Sequence, residues 1–205
     1  MSAASYGLVL LGGDLANGSA LKRLARGARA VICADGGARH AAALGLQPQF
    51  VVGDMDSLPK PLPRWRKTIF ACDFDEDRSD FDKALDLSSE LGLRRVFVAC
   101  ALGGALDHCL VNLAVIAAGR AGLEIVLADR GTGVLLGPGR HALSIPKGKR
   151  FSILAAGPRA KVSLTGARYP LKNQRLTPGS RGLGNRSSGA PVLRIASGRV
   201  WLLRD

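Results

Sequence analysis

The segment Phe50-Val51-Val52-Gly53-Asp54-Met55-Asp56-Ser57 leads from a short apolar run directly into two carboxylates that lie two positions apart. An apolar, β-branched run of this kind predicts a buried strand. If the chain stays extended beyond it, the side chains of Asp54 and Asp56 point to the same side. Packing gives no reason to place two like charges there, whereas a hard divalent cation held between protein and phosphates does. The alternative interpretation is a solvated loop.

Similar apolar segments recur along the first two thirds of the chain, and Ala- and Leu-rich stretches separate them. The predicted strands are 6–11, 30–34, 50–53, 96–101 and 124–128. The predicted helices are 18–26, 37–44, 80–91 and 107–118, with Gly45, Gly92 and Gly119 at their C-terminal ends. This alternation predicts an α/β fold, a mostly parallel, Rossmann-like sheet with flanking helices.

From Thr132 onward the helical periodicity disappears, and turns rich in Gly and Pro follow one another every few residues. Short strands between closely spaced turns predict a small antiparallel β-sandwich. We therefore expect two domains, an α/β domain over residues 1–128 and a β-sandwich over residues 129–205.

The net charge of +13 belongs entirely to the second predicted domain. Residues 1–128 hold 14 Lys and Arg against 14 Asp and Glu, whereas residues 129–205 hold 15 against two. The basic residues stand singly among apolar ones, without the aromatic pattern typical of RNA-binding modules. This favours a solvated β surface, so we expect nucleic acid not to be a partner; a surface that attracts polyphosphate or nucleic acid is the alternative.

The cysteines and the longest apolar segments bear on the cellular compartment. Cys33, Cys72, Cys100 and Cys109 form no Cys-x-x-Cys pair and lie within or beside apolar segments, which predicts buried reduced thiols. The apolar stretch 113–128 is interrupted by Arg120 and Glu124, and the first apolar run lacks the basic lead-in of a signal peptide. We expect a soluble cytoplasmic protein without a membrane partner.

Glycine and aspartate occur together where four predicted strands end. The motifs are Gly12-Gly13-Asp14, Asp35-Gly36-Gly37, Gly53-Asp54-Met55-Asp56-Ser57 and Gly103-Gly104-Ala105-Leu106-Asp107-His108. The carboxyl ends of parallel strands meet at one edge of the sheet, where ligands bind. Glycine lets backbone N–H groups approach a phosphate, and a following helix adds its positive end. Any single motif of this kind is usually only a turn, but four at one edge indicate a phosphate and metal site.

A dense acidic segment, Asp73-Phe74-Asp75-Glu76-Asp77-Arg78-Ser79-Asp80-Phe81-Asp82-Lys83, precedes the third predicted helix. Ser79 followed by Asp82 predicts a helix N-cap, and acids suit the first helical turn. Capping does not account for Lys83, which lies on the same helix face as Asp80. The pair either holds a cation and a phosphate side by side or forms a local salt bridge.

Several enzyme classes lack their signatures in this chain. The sequence contains no Gly-x-x-x-x-Gly-Lys-Ser/Thr, no Gly-x-Ser-x-Gly and no His-Glu-x-x-His. His108 is either a base or a hydrogen-bonding group beside the glycine turn. Magnesium and phosphate handled by carboxylates and backbone amides remain as the chemistry that the residues support.

The motifs Ala34-Asp35-Gly36-Gly37-Ala38, Gly53-Asp54-Met55-Asp56-Ser57, Asp77-Arg78-Ser79-Asp80-Phe81-Asp82-Lys83-Ala84-Leu85 and Gly103-Gly104-Ala105-Leu106-Asp107-His108, in this order, resemble those of thiamine pyrophosphokinases. The segments 164–171 and 177–185 are similar to that family's C-terminal sandwich, so the resemblance covers nearly the whole chain. It implies an ATP-binding α/β domain, a thiamine-binding and dimerisation β-sandwich, and a homodimer with active sites between subunits. The implied reaction transfers pyrophosphate from ATP to the thiamine hydroxyl and releases AMP.

The resemblance also implies roles for individual residues. The implied catalytic residues are Asp54, Asp56, Asp80 and Lys83, of which the three aspartates hold Mg²⁺. The transfer either needs no general base or uses Asp80 or Asp54 to accept the hydroxyl proton. The implied nucleotide-binding residues are Asp35, Gly36, Gly37, Ser57, Ser79, Gly103, Gly104, Asp107 and His108. The implied thiamine-binding residues are Glu76, Tyr169, Gly184 and Asn185.

The chain departs from the family pattern at three positions. Ala105 stands where an arginine is usual, Gly184 where a serine is usual, and Arg186 where an acid is common. Arg78 is the candidate to replace the missing cation. Two other interpretations stay open: a related pyrophosphokinase that acts on another alcohol, such as a hydroxymethylpterin, and a non-catalytic binder that uses the basic domain for nucleic acid or an acidic partner.

Overall fold

The computed structural model describes residues 6–205, and these residues form two compact units. The first unit ends at Arg130 and the second runs from Gly131 to Asp205.

The first unit is built on six parallel strands. They are β1 (Tyr6–Leu10), β2 (Ala30–Ala34), β3 (Phe50–Gly53), β4 (Ile69–Cys72), β5 (Arg95–Ala99) and β6 (Glu124–Ala128). Their spatial order is β6-β5-β1-β2-β3-β4, and every neighbouring pair is parallel. The chain moves outward in one direction from β1 to β4 and then crosses to the other side of β1 for β5. Such a reversal of strand order opens a crevice at the carboxyl ends of the strands.

Helices connect these strands, as the alternating pattern predicts, except that a loop joins β3 to β4. They are α1 (Gly18–Gly27), α2 (Ala38–Ala43), α3 (Asp80–Glu90) and α4 (Leu106–Ala118), with a 3₁₀ turn at Asp35–Gly37. The Ser79 hydroxyl accepts a hydrogen bond from the Asp82 N–H at 3.2 Å and donates to the Asp82 carboxylate at 2.8 Å. The predicted N-cap is therefore confirmed. The cap fixes where α3 begins, and with it the position of Asp80.

The bounds of most elements agree with the sequence prediction. Strands β2, β3 and β6 match residue for residue, and the fourth predicted strand ends at Ala99 rather than at residue 101. Strand β4 was not predicted, because it is a four-residue strand with half-exposed side chains and lacks a continuous apolar run. The α/β class is confirmed.

The core of the first unit explains its continuous apolar strands. All five residues of β2 are buried, as are Leu8, Val9 and Leu10 of β1. Strands buried on both faces read as unbroken Val, Ile and Leu runs rather than as alternating ones. Among the residues described, no helix is both long enough and apolar enough to cross a membrane.

The cysteines are free thiols, as predicted, but their burial varies. Cys33 and Cys100 are buried and Cys109 is partly buried, whereas Cys72 is exposed. The prediction of burial is wrong for Cys72 because this residue ends β4, the outermost strand of the parallel sheet.

The second unit is made of antiparallel strands. They are β7 (Thr132–Leu136), β8 (Gly139–Ala142), β9 (Arg150–Ala155), β10 (Ala160–Ala167), β11 (Leu171–Leu176), β12 (Asn185–Ser197) and β13 (Val200–Arg204). Their order is β11-β10-β12-β9-β13-β7, and β8 also pairs with β12. Alternate residues of β10 and β12 point into a core that includes Phe151, Leu164 and Leu193. The outward residues include polar and basic ones such as Lys161, Arg186 and Arg194.

Like charges face each other on the outer surface of this second unit. Arg194 of β12 lies directly opposite Arg140 of β8, and Lys161 of β10 lies opposite Arg175 of β11. Asp205 is the single acid in the unit's sequence, and it pairs with Arg150. Like charges directly opposite each other destabilise a sheet.

Removing one of these facing charges tests this destabilisation. We expect Arg194→Thr to raise the free energy of unfolding by about 0.5 kcal/mol at low ionic strength, because it removes the repulsion with Arg140 and leaves a β-branched residue. The gain should fade in ~1 M salt, where charges are screened within about 3 Å. Thermal unfolding at the two salt concentrations measures this. Lys147→Thr, in an exposed turn, is the control, and an equal gain at both salt concentrations would contradict the repulsion.

Candidate active site

A crevice of about 750 Å³ lies in the first unit, beside the residues that follow β1, β2, β3 and β5. The predicted site residues that line it are Asp35, Gly36, Asp54, Ser57, Glu76, Ser79, Asp80, Lys83, Gly103, Gly104 and His108. A volume of this size is typical of sites for small molecules. The strand-end motifs, which are distant in sequence, therefore come together as the parallel sheet predicts.

Two glycines let the acidic residues approach one another. Gly53 has a φ of 141°, and a Cβ there would lie 2.8 Å from the Asp80 Cγ and 2.9 Å from the Asp35 Cβ. Gly37 packs so tightly against the backbone of Leu10 that a Cβ would overlap it. Both contacts require a residue without a side chain. Gly37 is the last residue of the 3₁₀ turn; it is buried and does not line the crevice.

Three carboxylates meet at this edge of the sheet. One carboxylate oxygen from each of Asp35, Asp54 and Asp56 lies within 4.8 Å of the other two. Asp54 and Asp56 converge through a turn, because Met55 has a φ of 70° and the Asp56 N–H donates to the Asp54 Oδ1 at 3.2 Å. The chain after β3 is therefore not extended, and the turn rather than an extended strand brings the two carboxylates together.

Asp35 is the buried member of this carboxylate group. Its Oδ2 accepts a hydrogen bond from the Ser57 N–H at 3.0 Å, whereas its Oδ1 is buried without a hydrogen-bond partner. The pKa of Asp35 is raised to about 6, mainly by burial; the carboxyl of Asp56 and the charge of Asp80 contribute to the rise, and the hydrogen bonding of Ser57 opposes it. An orphaned buried carboxylate oxygen is costly unless a cation satisfies it.

The donor set fits a hard divalent cation. The group offers carboxylate oxygens alone, which are the ligands that Mg²⁺ and Ca²⁺ prefer. The unpartnered Oδ1 belongs to Asp35, the buried member of this group, so a cation bound through that oxygen would satisfy the atom that the protein leaves unpaired. This group differs from the predicted set of Asp54, Asp56 and Asp80 in that Asp35 takes the place of Asp80.

Asp80 lies beside this group and is linked to it electrostatically. Burial raises the pKa of Asp80; the positive charge of Lys83 opposes this, while Asp54 and Asp56 add to it. The Lys83 Nζ is 3.5 Å from the Asp80 Oδ1 and 3.7 Å from the Asp73 Oδ1, and it donates to the Asp73 carbonyl at 2.8 Å. Lys83 is buried, so this salt bridge differs from the weak, solvated pair considered from sequence.

The remaining predicted residues lie elsewhere. Asp107 is exposed and outside the crevice lining, and its carboxylate accepts from the His108 N–H at 2.8 Å. Tyr169, Gly184 and Asn185 belong to the second unit. There Asn185 is buried, accepts from the Tyr169 N–H at 3.1 Å and donates to the Tyr169 carbonyl at 2.7 Å, so it joins the two segments.

The crevice also includes residues that were not predicted as site residues. Among the polar ones are Arg39 from α2, Asn112 from α4, and Asp73, Asp75 and Arg78 from the acidic segment. Arg39 follows Asp35 by about one helical turn, and this spacing could have predicted that both residues reach the same site. Nothing in the sequence distinguishes Asn112 as a site residue. Arg78, the candidate replacement for an arginine at position 105, forms an ion pair with Asp86, which lies outside the crevice lining.

Glycine turns and carboxylates at the carboxyl edge of a parallel sheet are typical of α/β enzymes that bind nucleotides and other phosphorylated ligands. The sequence model described as "Thiamin pyrophosphokinase, catalytic domain" matches residues 21–127, more than half of the chain. The chain belongs to the thiamin pyrophosphokinase family, whose members are ATP-dependent pyrophosphotransferases. The family resemblance found in the sequence is thereby confirmed.

Individual relatives agree with this assignment. Thiamine pyrophosphokinase of Bacillus subtilis (strain 168) is 26% identical over 144 residues, which cover 66% of this chain and 67% of that protein. The crystal structure of the Bacillus subtilis enzyme superposes with a TM-score of 0.83 at 20% identity and covers 98% of both chains. Thiamin pyrophosphokinase from Candida albicans superposes with a TM-score of 0.81 at 16% identity, covering 99% of this chain and 90% of that one. At these identities the structural likeness shows the fold.

The buried Asp35 carboxylate generates a stability prediction for the metal-free protein. Because its folded-state pKa of about 6 lies above the ordinary value of about 4, the folded state binds the proton more tightly, and stability falls as pH rises through this interval. Asn at this position does not titrate. We expect Asp35→Asn to raise the free energy of unfolding by about 1–2 kcal/mol at pH 8 with chelator, and the gain to shrink toward pH 4.

Chemical denaturation of both proteins across this pH range measures the effect. Glu90→Gln, which neutralises an exposed acid on α3, is the matched control and should leave the pH dependence unchanged. A destabilised Asp35→Asn variant at pH 8 would show that the carboxylate is not held at a cost.

Proposed function

We propose that this protein transfers pyrophosphate from ATP to thiamine, giving thiamine pyrophosphate and AMP. The observation that carries the proposal is the group of Asp35, Asp54 and Asp56, with one unsatisfied buried oxygen, beside a crevice in a chain of this family. Mg²⁺ is the cofactor that we assign to this group. The alternative of a non-catalytic binder loses its support, because the chain belongs to an enzyme family.

Pyrophosphoryl transfer asks the protein for positioning and charge compensation more than for covalent chemistry. When bound, the metal ion neutralises charge on the phosphates. Asp35, Asp54 and Asp56 would hold it, and Asp80 adjoins them across Gly53. Fixed carboxylates of this kind hold their positions before the substrate arrives, so that little reorganisation accompanies the reaction.

Asp80 and Lys83 have complementary roles in this proposal. The raised pKa of Asp80 makes its carboxylate a better proton acceptor than an ordinary one, and we assign it the proton of the attacking hydroxyl. Lys83 balances the charge of Asp73 and Asp80 and keeps both carboxylates in place. The Ser79 cap holds the first turn of α3, from which both side chains project.

The nucleotide would occupy the glycine-lined part of the crevice. Gly36, Gly103 and Gly104 line it and allow a phosphate or ribose to approach the backbone. Ser57 and His108 line the same crevice and offer hydrogen-bonding groups, and Asp35 anchors Ser57 through its N–H. We assign these residues to nucleotide binding, with Gly37 and Asp107 supporting them through the backbone of the 3₁₀ turn and of α4.

Thiamine would bind between the two subunits of a homodimer, where the crevice of one subunit meets the Asn185 region of the other. Glu76 lines the crevice, whereas Tyr169, Gly184 and Asn185 belong to the second unit, which we propose to be a β-sandwich for thiamine binding and dimerisation. The first unit would be the Rossmann-like ATP- and magnesium-binding domain. A cytoplasmic homodimer with shared active sites completes the proposal. An apolar side of α4 in the first unit supports a homodimer whose contacts extend beyond the second unit, because Leu106, Leu110 and Val111 are 74%, 60% and 47% exposed.

The reaction itself provides the first test. With ATP, Mg²⁺ and thiamine we expect AMP release in proportion to the thiamine consumed, and none when thiamine is omitted. A hydroxymethylpterin serves as the competing acceptor, because Gly184 lacks the hydroxyl usual in the family. AMP release with the pterin but not with thiamine would show that the pterin is the acceptor. If no AMP is released with either acceptor and any divalent metal, the proposed activity is refuted.

A substitution in the carboxylate group tests the metal assignment. We expect Asp56→Asn to lower turnover by at least about 100-fold, because one charged ligand is lost. The melting temperature should stay close to that of the native protein, since Asp56 is exposed and Asn keeps an oxygen for the Ser57 hydroxyl. Asp77→Asn, an exposed acid outside the crevice lining, should be as active as the native protein. Full activity of Asp56→Asn would refute the assignment.

A further inference from the structure

The charges that line the crevice are unbalanced toward the acidic side. Its acids are Asp35, Asp54, Asp73, Asp75, Glu76 and Asp80, and its basic residues are Arg39, Arg78 and Lys83. A polyphosphate brings several further negative charges, so its binding needs a cationic side chain that is not already neutralised.

Two of the three basic residues are committed to carboxylates of the protein. Lys83 has a side chain only 5% exposed and lies within 4.0 Å of the carboxylates of Asp73 and Asp80. Arg78 is paired with Asp86. Both charges therefore balance acids that are already present.

Arg39 differs from both in its surroundings. It is exposed, lines the crevice, and in the described part of the chain no carboxylate oxygen lies within 4.0 Å of its guanidinium. One of its N–H groups donates to the Gly12 carbonyl. A guanidinium has five donors in a planar fork that matches two phosphate oxygens, so most of its capacity remains available.

The glycine loop beneath Arg39 has other supports. The Gly13 carbonyl is hydrogen-bonded to the Nε2 of His40 at 2.7 Å, and the Gly13 N–H donates to the Cys100 carbonyl at 2.8 Å. The Asp14 N–H donates to the Leu102 carbonyl at 2.7 Å. Arg39 is therefore not required to hold this loop, and its place in the crevice lacks a structural explanation.

We propose that Arg39 contacts the phosphate chain of the nucleotide and so selects ATP over AMP. This assignment rests on the proposed function, because it requires a nucleoside triphosphate to be the ligand of this crevice. Asp35, the buried member of the carboxylate group, begins the 3₁₀ turn, and Arg39 follows about one helical turn later in α2. This arrangement places an anion-binding fork beside the cation site, as polyphosphate recognition requires.

Equilibrium binding tests this assignment without turnover. We expect Arg39→Gln to weaken binding of ATP with Mg²⁺ by about 10- to 100-fold in calorimetry, and to leave AMP binding and the melting temperature unchanged. Arg39→Lys should lie between the two, because it keeps the charge and loses the fork. Arg23→Gln, the same change at an exposed position of α1, is the control and should bind both nucleotides normally.

Each outcome decides the assignment. Equal losses for ATP and AMP, or a lowered melting temperature with both affinities reduced, would make Arg39 a structural support of the Gly12 loop and overturn the assignment. Unchanged ATP binding would overturn it directly. If Arg39→Gln does not fold, Arg39→Lys decides by the same comparison of ATP with AMP. A native protein that binds ATP through Arg39 yet releases no AMP with thiamine would contradict the proposed function alone.

Discussion

The buried carboxylate of Asp35 is the constraint on which the first unit depends. It lies within 4.8 Å of the carboxylate oxygens of Asp54 and Asp56, and one of its own oxygens has no partner. A lone chain segment would relieve this repulsion by turning the side chain to solvent. The parallel sheet prevents that, because Asp35 directly follows the fully buried β2 and Asp54 follows β3, its neighbour in the sheet. The fold therefore spends part of its stability on holding charges together.

The basic side chains differ between the two units in how they are paired with acids. Around the crevice, Lys83 and Arg78 form ion pairs with particular carboxylates. The first unit as a whole is close to neutral. The second unit carries the whole surplus, on its strands and on its turns, and Arg140 and Arg194 face each other on two of these strands. The candidate active site thus lies in the unit without net charge, and the net charge lies in the other unit. A high isoelectric point consequently says little about which ligand the crevice takes.

The sequence predicted the features that arise from regular chain geometry. Apolar runs located β2, β3 and β6, and the meeting of strand ends followed from the parallel sheet. It did not predict the turn at Met55, because a non-glycine residue with a φ of 70° has no clear sequence signal. Strand β4 and the exposed Cys72 were missed because short strands at a sheet edge lack an apolar run. The place of Arg39 depends on which carboxylates the other basic residues contact, which only the folded chain determines.

Gly53 sets a limit on how such a site can be redesigned. A single added carbon at this position would meet Asp80 at 2.8 Å and Asp35 at 2.9 Å, on two different elements. The absence of a side chain at Gly53 therefore sets how closely those two elements approach, and no rotamer change elsewhere would make room for a Cβ. An engineer who wishes to move the chemistry to another alcohol has freedom at the rim, at Glu76 for example, but none at this glycine. The glycine ahead of the acid pair is thus as much a part of this site as the acids themselves.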